Sequence, residues 1–255
     1  LWPRMRSTAT ALVALASPAD ALELLGLLRT AAGERLVSFE LLPRIAMELT
    51  TRYIEGVRDP FERPYSWYIL CELASSADEG LDDMLQRSLA AGMESGLVLD
   101  AALAASERVR AAFWHLREHV PAAQRRAGPS LKHDISVPVA ALPQFVNEAS
   151  QWVREHVPEG VLVCYGHAGD GNLHFNVNRA EGAPDEAFLA REPVIRRAIH
   201  DLVARYHGSI SAEHGIGRLK REELQRYASP AALALMRSIK HALDPNGIMN
   251  PGKLL

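Results

Sequence analysis

The sequence predicts an α+β fold, with two ferredoxin-like units forming an antiparallel sheet, helices on one face, and a helical C-terminal segment. Three observations carry this expectation. Strand-like apolar runs alternate with helix-like segments and short links over most of the chain. The clearest helices carry their apolar residues on one 3.6-period stripe, as a helix packed on a sheet must. The stretch Lys220 to Ala242 has a helical pattern and contains no strand.

The strand-like runs are Thr10 to Ala16, Arg35 to Leu42, Trp67 to Leu73, Leu97 to Ala101, Ser130 to Val137, Val161 to Tyr165 and Leu173 to Val177. Arg4 and Arg6 ahead of Ala9 to Ala16 superficially resemble a secretory leader. The run is short, however, and Ser17-Pro18-Ala19-Asp20 then opens an amphipathic helix as a cap does, so a strand is expected. Arg58 to Pro64, with Pro60 and Pro64, reads as a loop. Leu142, Phe145, Val146, Ala149, Trp152 and Val153 share one face of a helix over Leu142 to His156. Val194, Ile195, Ala198, Ile199, Leu202, Val203 and Tyr206 form a second stripe. Asp244-Pro245-Asn246-Gly247 stops the last helix and turns the chain.

Composition narrows the function. The 48% hydrophobic and 23% charged residues are those of an ordinary globular protein. A formal net charge of −3 argues against nucleic acid as a partner. No apolar run approaches the roughly 20 residues a membrane helix needs, so no transmembrane segment is expected. Cys71 and Cys164 lie in apolar runs and read as buried thiols in a reducing compartment, which points to the cytoplasm.

The densest chemical signal is Gly166-His167-Ala168-Gly169-Asp170-Gly171-Asn172-Leu173-His174-Phe175-Asn176. Its glycines and Asp/Asn pair suit a tight hairpin, which brings His167 and His174 to one end. His174 and Asn176, two apart on a strand, point to one face. Two histidines alone more often bond to backbone than to a metal, so a third ligand has to be found. The candidate is Glu213 in Ser211-Ala212-Glu213-His214-Gly215-Ile216-Gly217. Two histidines and a carboxylate form a common catalytic metal set with positions left open for substrate oxygen. His214 has an ordinary pKa of about 6.5, which suits a base. Arg117 sits at the edge of the stripe Val109, Phe113, Leu116 and Val120, and Lys132 lies in the run Ser130 to Val137. Together these two can hold a carboxylate, although surface cations are common. The same ligands would also serve a metal-dependent hydrolase or a non-catalytic metal-binding module.

The runs Gly166 to His174, Ser211 to Gly217 and Asp244 to Lys253 occur together and in order, and they resemble the C-terminal region of the FAD-linked oxidases. That family includes D-2-hydroxyglutarate dehydrogenases, D-lactate dehydrogenases and the large subunit of glycolate oxidase. Alkyl-glycerone-phosphate synthases are relatives with non-redox chemistry. The resemblance covers essentially the whole chain. It implies a divalent metal, often zinc, on His167, His174 and Glu213, with Asn176 beside a small 2-hydroxyacid substrate and His214 as the base. It raises Arg117 and Lys132 to substrate-carboxylate residues, and places Asn250 and Lys253 in a terminal block that returns to the flavin region. Residues 1–219 are then a substrate- and metal-binding domain, and 220–255 a helical segment packing on the FAD domain.

Two departures matter. No glycine-rich pyrophosphate loop precedes this region, so FAD is expected to be held by a domain or subunit outside these residues. Dicarboxylate-specific members carry a threonine four residues after the arginine, where this sequence has Pro121. That points away from 2-hydroxyglutarate, and the electron acceptor stays open.

Overall fold

Successive side chains along a strand point to opposite faces of a sheet. In this chain the two faces have different chemistry. The computed structural model describes residues 5–77 and 80–255, so the leader-like Arg4 lies outside the described residues. The first unit comprises β1 (Ser7–Leu15), α1 (Pro18–Ala32), β2 (Leu36–Pro43), α2 (Arg44–Tyr53), β3 (Trp67–Ser75), α3 (Leu81–Glu94) and β4 (Asp100–Leu103). Then follow α4 (Glu107–Glu118) and α5 (Val120–Ala127). The second unit holds β5 (Ser130–Leu131), β6 (Asp134–Ser136), α6 (Leu142–His156), β7 (Gly160–His167), β8 (Asn172–Arg179), α7 (Asp185–Ala190) and α8 (Glu192–Arg205). The chain ends with α9 (Arg221–Tyr227) and α10 (Pro230–Leu243).

The strand order is β4-β1-β3-β2-β7-β8-β5, with β6 also paired to β8. Every pairing is antiparallel. The first four strands have the ferredoxin-like order. The second unit repeats it: β5 and β6 together act as its first strand, and its fourth is reduced to the single bridge Ser136↔Ser209. Two ferredoxin-like units on one antiparallel sheet are therefore present, as the strand count suggested. They meet edge to edge through only two residue pairs, Glu40↔His167 and Leu41↔Gly166.

Elements break where the backbone needs partners other than the regular ones. The expected strand Ser130 to Val137 is interrupted at His133, whose N–H donates to the Asn176 side chain (3.3 Å). The helical stretch after Glu107 restarts at Val120, because Pro121 cannot donate within a helix but suits its first turn. The C-terminal helical stretch breaks at Pro230, where the Ser229 hydroxyl caps α10. The strand expected from Leu97 starts only at Asp100, since Val98 N–H still closes the end of α3 on the Gly92 carbonyl. Among the described residues, no helix is long and apolar enough to cross a membrane. Both cysteines are free and buried, as expected.

One sheet face carries Val13, Leu15, Leu41, Ile69, Cys71, Leu173, Phe175 and Val177 and packs against α1, α3, α6 and α8. This is the helix layer the stripes predict. The other face alternates Leu12, Leu42, Leu70 and Tyr165 with polar residues, and α2, α4 and α5 cover it. The stripe Val109, Phe113, Leu116 and Val120 packs into this second layer, and α4 also docks through charge. Arg110 and Arg117 are seven residues apart, two helical turns, and so share a face. Arg110 donates Nε and Nη2 to the two oxygens of Glu72 (2.7 and 3.0 Å), which also accepts from Trp114 and Thr10. Arg117 donates Nε and Nη2 to Glu40 Oε2 at 2.9 and 2.8 Å. Burial pushes the Glu72 carboxyl up, but the hydrogen bonds from Arg110, Trp114 and Thr10 outweigh it and hold the group below the usual carboxylate range.

Glu72→Gln is expected to lower the unfolding free energy by about 3 kcal/mol, the low end for breaking a buried pair, because Arg110 keeps some exposure. Urea unfolding would read this as a shifted midpoint with an unchanged slope. Adding Arg110→Met should recover part of the loss; additive losses would show that the pair does not act as a unit.

Candidate functional site

The hairpin between β7 and β8 closes on glycine. Gly171 takes a φ of +79°, and a Cβ there would sit 2.0 Å from the Val137 carbonyl oxygen. Only glycine allows the turn to lie this close to the end of β6. The Gly171 carbonyl then accepts from Val137 N–H at 3.0 Å.

Register does the rest. The β2–β7 pairing sets Glu40 opposite His167. The β6–β8 pairing sets Asp134 opposite His174, and β7 sets Tyr165 on the other side of His174. Each histidine therefore has a carboxylate as its direct cross-strand neighbour. His167 Nδ1–H donates to Glu40 Oε1 at 2.5 Å, and its Nε2 lies 3.2 Å from Glu213 Oε1. His174 Nε2 lies 3.9 Å from Glu213 Oε2. Ligand atoms of His167, His174 and Glu213 all fall within 4.8 Å of one another, as do those of Asp134, His174 and His214. The structure thus brings together the three residues singled out in the sequence.

The electrostatics suit a cation. The Glu40 hydrogen bond raises the His167 pKa against the effect of burial. It also fixes the tautomer that leaves Nε2 free to ligate. Burial and the Arg117 guanidinium push His174 down, which keeps its ring neutral. Asp134 Oδ1 is buried and accepts no hydrogen bond. Two imidazoles, an accessible carboxylate and an orphaned anionic oxygen fit a divalent metal ion.

The remaining predicted residues are spread around this centre. His214 is exposed, with Nδ1 3.8 Å from Asp134 Oδ2. Arg117 is buried on Glu40, with its guanidinium 4.9 Å from the Tyr165 ring centre. Asn176 is buried too; it bonds Gln124 (3.1 Å) and accepts from His133 N–H. Lys132 is exposed and makes no side-chain hydrogen bond or ion pair among the described residues. Asn250 and Lys253 are exposed and line a cavity of about 600 Å³ together with Gly217, Ile239 and Leu243. Asn250 has a φ of +48°, which asparagine tolerates better than most residues. A cleft of about 440 Å³ opens beside His167 and Glu40, lined also by Arg29, Trp114 and Asp170.

Sequence reasoning missed Glu40, Asp134 and Gln124. A signal existed for Glu40, a carboxylate inside a mostly apolar strand run, where burial demands a partner.

His133 lies beneath the centre, with Nδ1 2.8 Å from the Phe175 carbonyl. Burial, with His200 nearby, pushes its pKa from 6.5 down to about 3. The unfolded chain therefore binds a proton that the folded chain refuses. Stability contributed by neutral His133 is present above pH 6.5 and is lost as pH falls toward 3, at up to about 1.4 kcal/mol per pH unit. His133→Asn keeps a donor for the Phe175 carbonyl and cannot titrate. Its unfolding free energy, measured between pH 6.5 and 5, should fall less steeply than that of the wild type, and parallel slopes would show that His133 does not contribute.

The family described as FAD linked oxidases, C-terminal domain, matches residues 4–254. The mitochondrial D-2-hydroxyglutarate dehydrogenase of Arabidopsis thaliana is 35% identical over 254 residues, which is 99% of this chain and 44% of the relative. The D-2-hydroxyglutarate dehydrogenase of Stutzerimonas stutzeri (strain A1501) is 37% identical over 195 residues, 76% of this chain and 42% of the relative. The chain thus spans less than half the length of these relatives. A structure of p-cresol methylhydroxylase with substrate bound superposes with a TM-score of 0.71 at 12% identity, covering 100% of this chain and 54% of the other. An alkyldihydroxyacetonephosphate synthase gives 0.57 at 13%, covering 97% and 45%. Both share the fold. With a match over nearly its full extent and relatives well above 30% identity, the chain belongs to the FAD linked oxidases, as their C-terminal domain.

Proposed function

We propose that this chain is the substrate- and metal-binding part of an FAD-dependent dehydrogenase that oxidises a D-2-hydroxyacid to the 2-oxoacid. The observation that carries the reading is the convergence of His167, His174 and Glu213, with Glu40 behind His167. The relatives' names support the substrate class. When bound, a divalent ion such as zinc supplies Lewis-acid polarisation of the substrate hydroxyl, and the flavin supplies a hydride acceptor.

The chain's own residues do the rest. His167, His174 and Glu213 hold the ion. His214, exposed beside His174 at 6.1 Å between ring centres, takes the hydroxyl proton. Lys132, exposed and without an ion pair among the described residues, meets the substrate carboxylate. Arg117 adds a second positive charge from its fixed seat on Glu40, close enough to His174 to lower that ring's pKa. Asn176 borders the substrate and is kept rigid by Gln124. FAD is held mainly by a domain or subunit outside these residues, packed on 220–255. The exposed Leu235, Ile239 and Leu243 of α10 favour that contact, with Asn250 and Lys253 on the flavin side.

Pro121 offers no hydroxyl, so we assign the site to a monocarboxylic hydroxyacid. The relatives' names favour D-2-hydroxyglutarate as the second reading. In the full-length protein, anaerobic flavin bleaching should follow addition of D-lactate or a bulkier D-hydroxyacid faster than D-2-hydroxyglutarate, and Pro121→Thr should narrow the gap. A flavin left oxidised by every D-2-hydroxyacid would reject the activity. His174→Ala should lose the divalent ion, read by elemental analysis, together with bleaching. His214→Asn should keep the ion yet reduce flavin about 100- to 10,000-fold more slowly, as expected for a lost base. An unchanged rate would send the proton elsewhere.

A further inference from the structure

Glu213 and His214 are carried by a loop rather than by the sheet. The chain leaves the sheet after the Ser136↔Ser209 bridge, where the second unit lacks most of its fourth strand. Gly215 and Gly217 follow at positive φ with open space around them. Such a segment has few contacts to fix its direction. Asp134 is the side chain that reaches the Glu213–His214 backbone. Asp134 Oδ2 accepts the consecutive N–H groups of Glu213 at 2.9 Å and His214 at 2.8 Å. The Asp134 carbonyl also accepts from Ala212 N–H at 3.3 Å.

The carboxylate has a second, unsatisfied part. Asp134 is 2% exposed, and its Oδ1 is buried without a hydrogen bond. A buried carboxylate oxygen without donors is costly unless positive charge lies close by. The nearby Lys220 spends its ammonium on the Ile210 carbonyl (3.0 Å) and the Ser211 hydroxyl (3.3 Å). One Asp134 oxygen lies within 4.8 Å of ring nitrogens of both His174 and His214. Glu213 gives the ligand set one negative charge, and Asp134 would add a second beside it.

We propose that Asp134 is a positioning residue of this centre. It holds the Glu213–His214 backbone in its ligating direction and supplies the second negative charge to the bound divalent cation. The proposal rests on the metal reading given above. It takes Asp134 as an outer partner of the ion, acting through Glu213 and His214.

The test uses the metal-stripped full-length protein, titrated with Zn²⁺ against a chromophoric chelator and separately with Co²⁺ followed by visible absorption. Asp134→Asn keeps the shape and an acceptor oxygen but removes the charge. Zn²⁺ affinity should fall about 10- to 100-fold, the usual effect of losing an outer-shell partner, and the Co²⁺ band should change in intensity. Asp134→Glu restores the charge and should recover affinity to within about 10-fold of the wild type on the same scale. Wild-type affinity and an unchanged Co²⁺ band in Asp134→Asn would overturn the proposal. So would equal losses in both variants with a matching drop in thermal midpoint, which marks a merely structural role. If Asp134→Asn does not fold, Asp134→Glu decides alone, and a loss beyond about 100-fold there overturns the proposal. A wild-type protein that takes up no Zn²⁺ or Co²⁺ fails at the metal reading itself, and is recognised before any variant is compared.

Discussion

The antiparallel register linking β2, β7, β8 and β6 is the constraint on which the centre depends. A slip of one residue would turn every side chain of a strand to the opposite face. With the observed register, Glu40 faces His167 and Asp134 faces His174. The two ferredoxin-like units touch through only two residue pairs in the sheet, and Glu40↔His167 is one of them. The joint between the units is thus built from the same atoms as the candidate metal site. The opposite face holds the register in place, because Leu41, Phe175 and Val177 would lose their core positions under α1, α6 and α8 in a pairing shifted by one residue.

Putting carboxylates on a sheet face that helices cover creates an electrostatic problem. A buried charge without a partner is expensive, and a buried ion pair often does no more than break even against apolar packing. Glu72 and Glu40 are matched to Arg110 and Arg117 across the two-turn spacing of α4. The match fixes where α4 sits more than it adds to stability, since an apolar helix face could slide whereas a pair of guanidinium forks cannot. The placement has a chemical effect. Arg117 ends next to Tyr165, and its charge adds to burial in pushing the His174 pKa down. Glu40, anchored by Arg117, in turn orients His167. Helix docking and ligand orientation are therefore one network.

Much of this was legible locally. The Gly166 to Asn176 run declares a hairpin with two histidines, and α6 falls within the boundaries its apolar stripe predicts. The partners of those histidines were not legible as partners, because pairing in a sheet is non-local. Glu40 and His167 are 127 residues apart in sequence, and Asp134 and His214 are 80 apart. The interruption at His133 was hidden for a related reason. It arises from the Asn176 side chain across the sheet. Arg117 could be read as a free cation because its partner, Glu40, is 77 residues away in sequence.

The two halves of the centre differ in how firmly they are held. The histidines stand on paired strands within a packed sheet, which favours exact placement. Glu213 and His214 stand on a loop fixed by Asp134 and Lys220 from one side. On its other side the loop is tied to the chain's last residues: Leu254 N–H donates to the Gly217 carbonyl at 2.9 Å, and Arg221 donates to the Gly252 carbonyl at 3.2 Å. Those residues line the cavity beside the exposed apolar face of α10. A body that packs on α10 therefore bears on the tail, and through Gly217 on the segment that carries Glu213. In the proposed enzyme that body is the part holding FAD, so assembly and completion of the ligand set draw on the same few hydrogen bonds. The geometry on the sheet needs no such help, which is why the loop, and not the histidines, is where assembly can act on the chemistry.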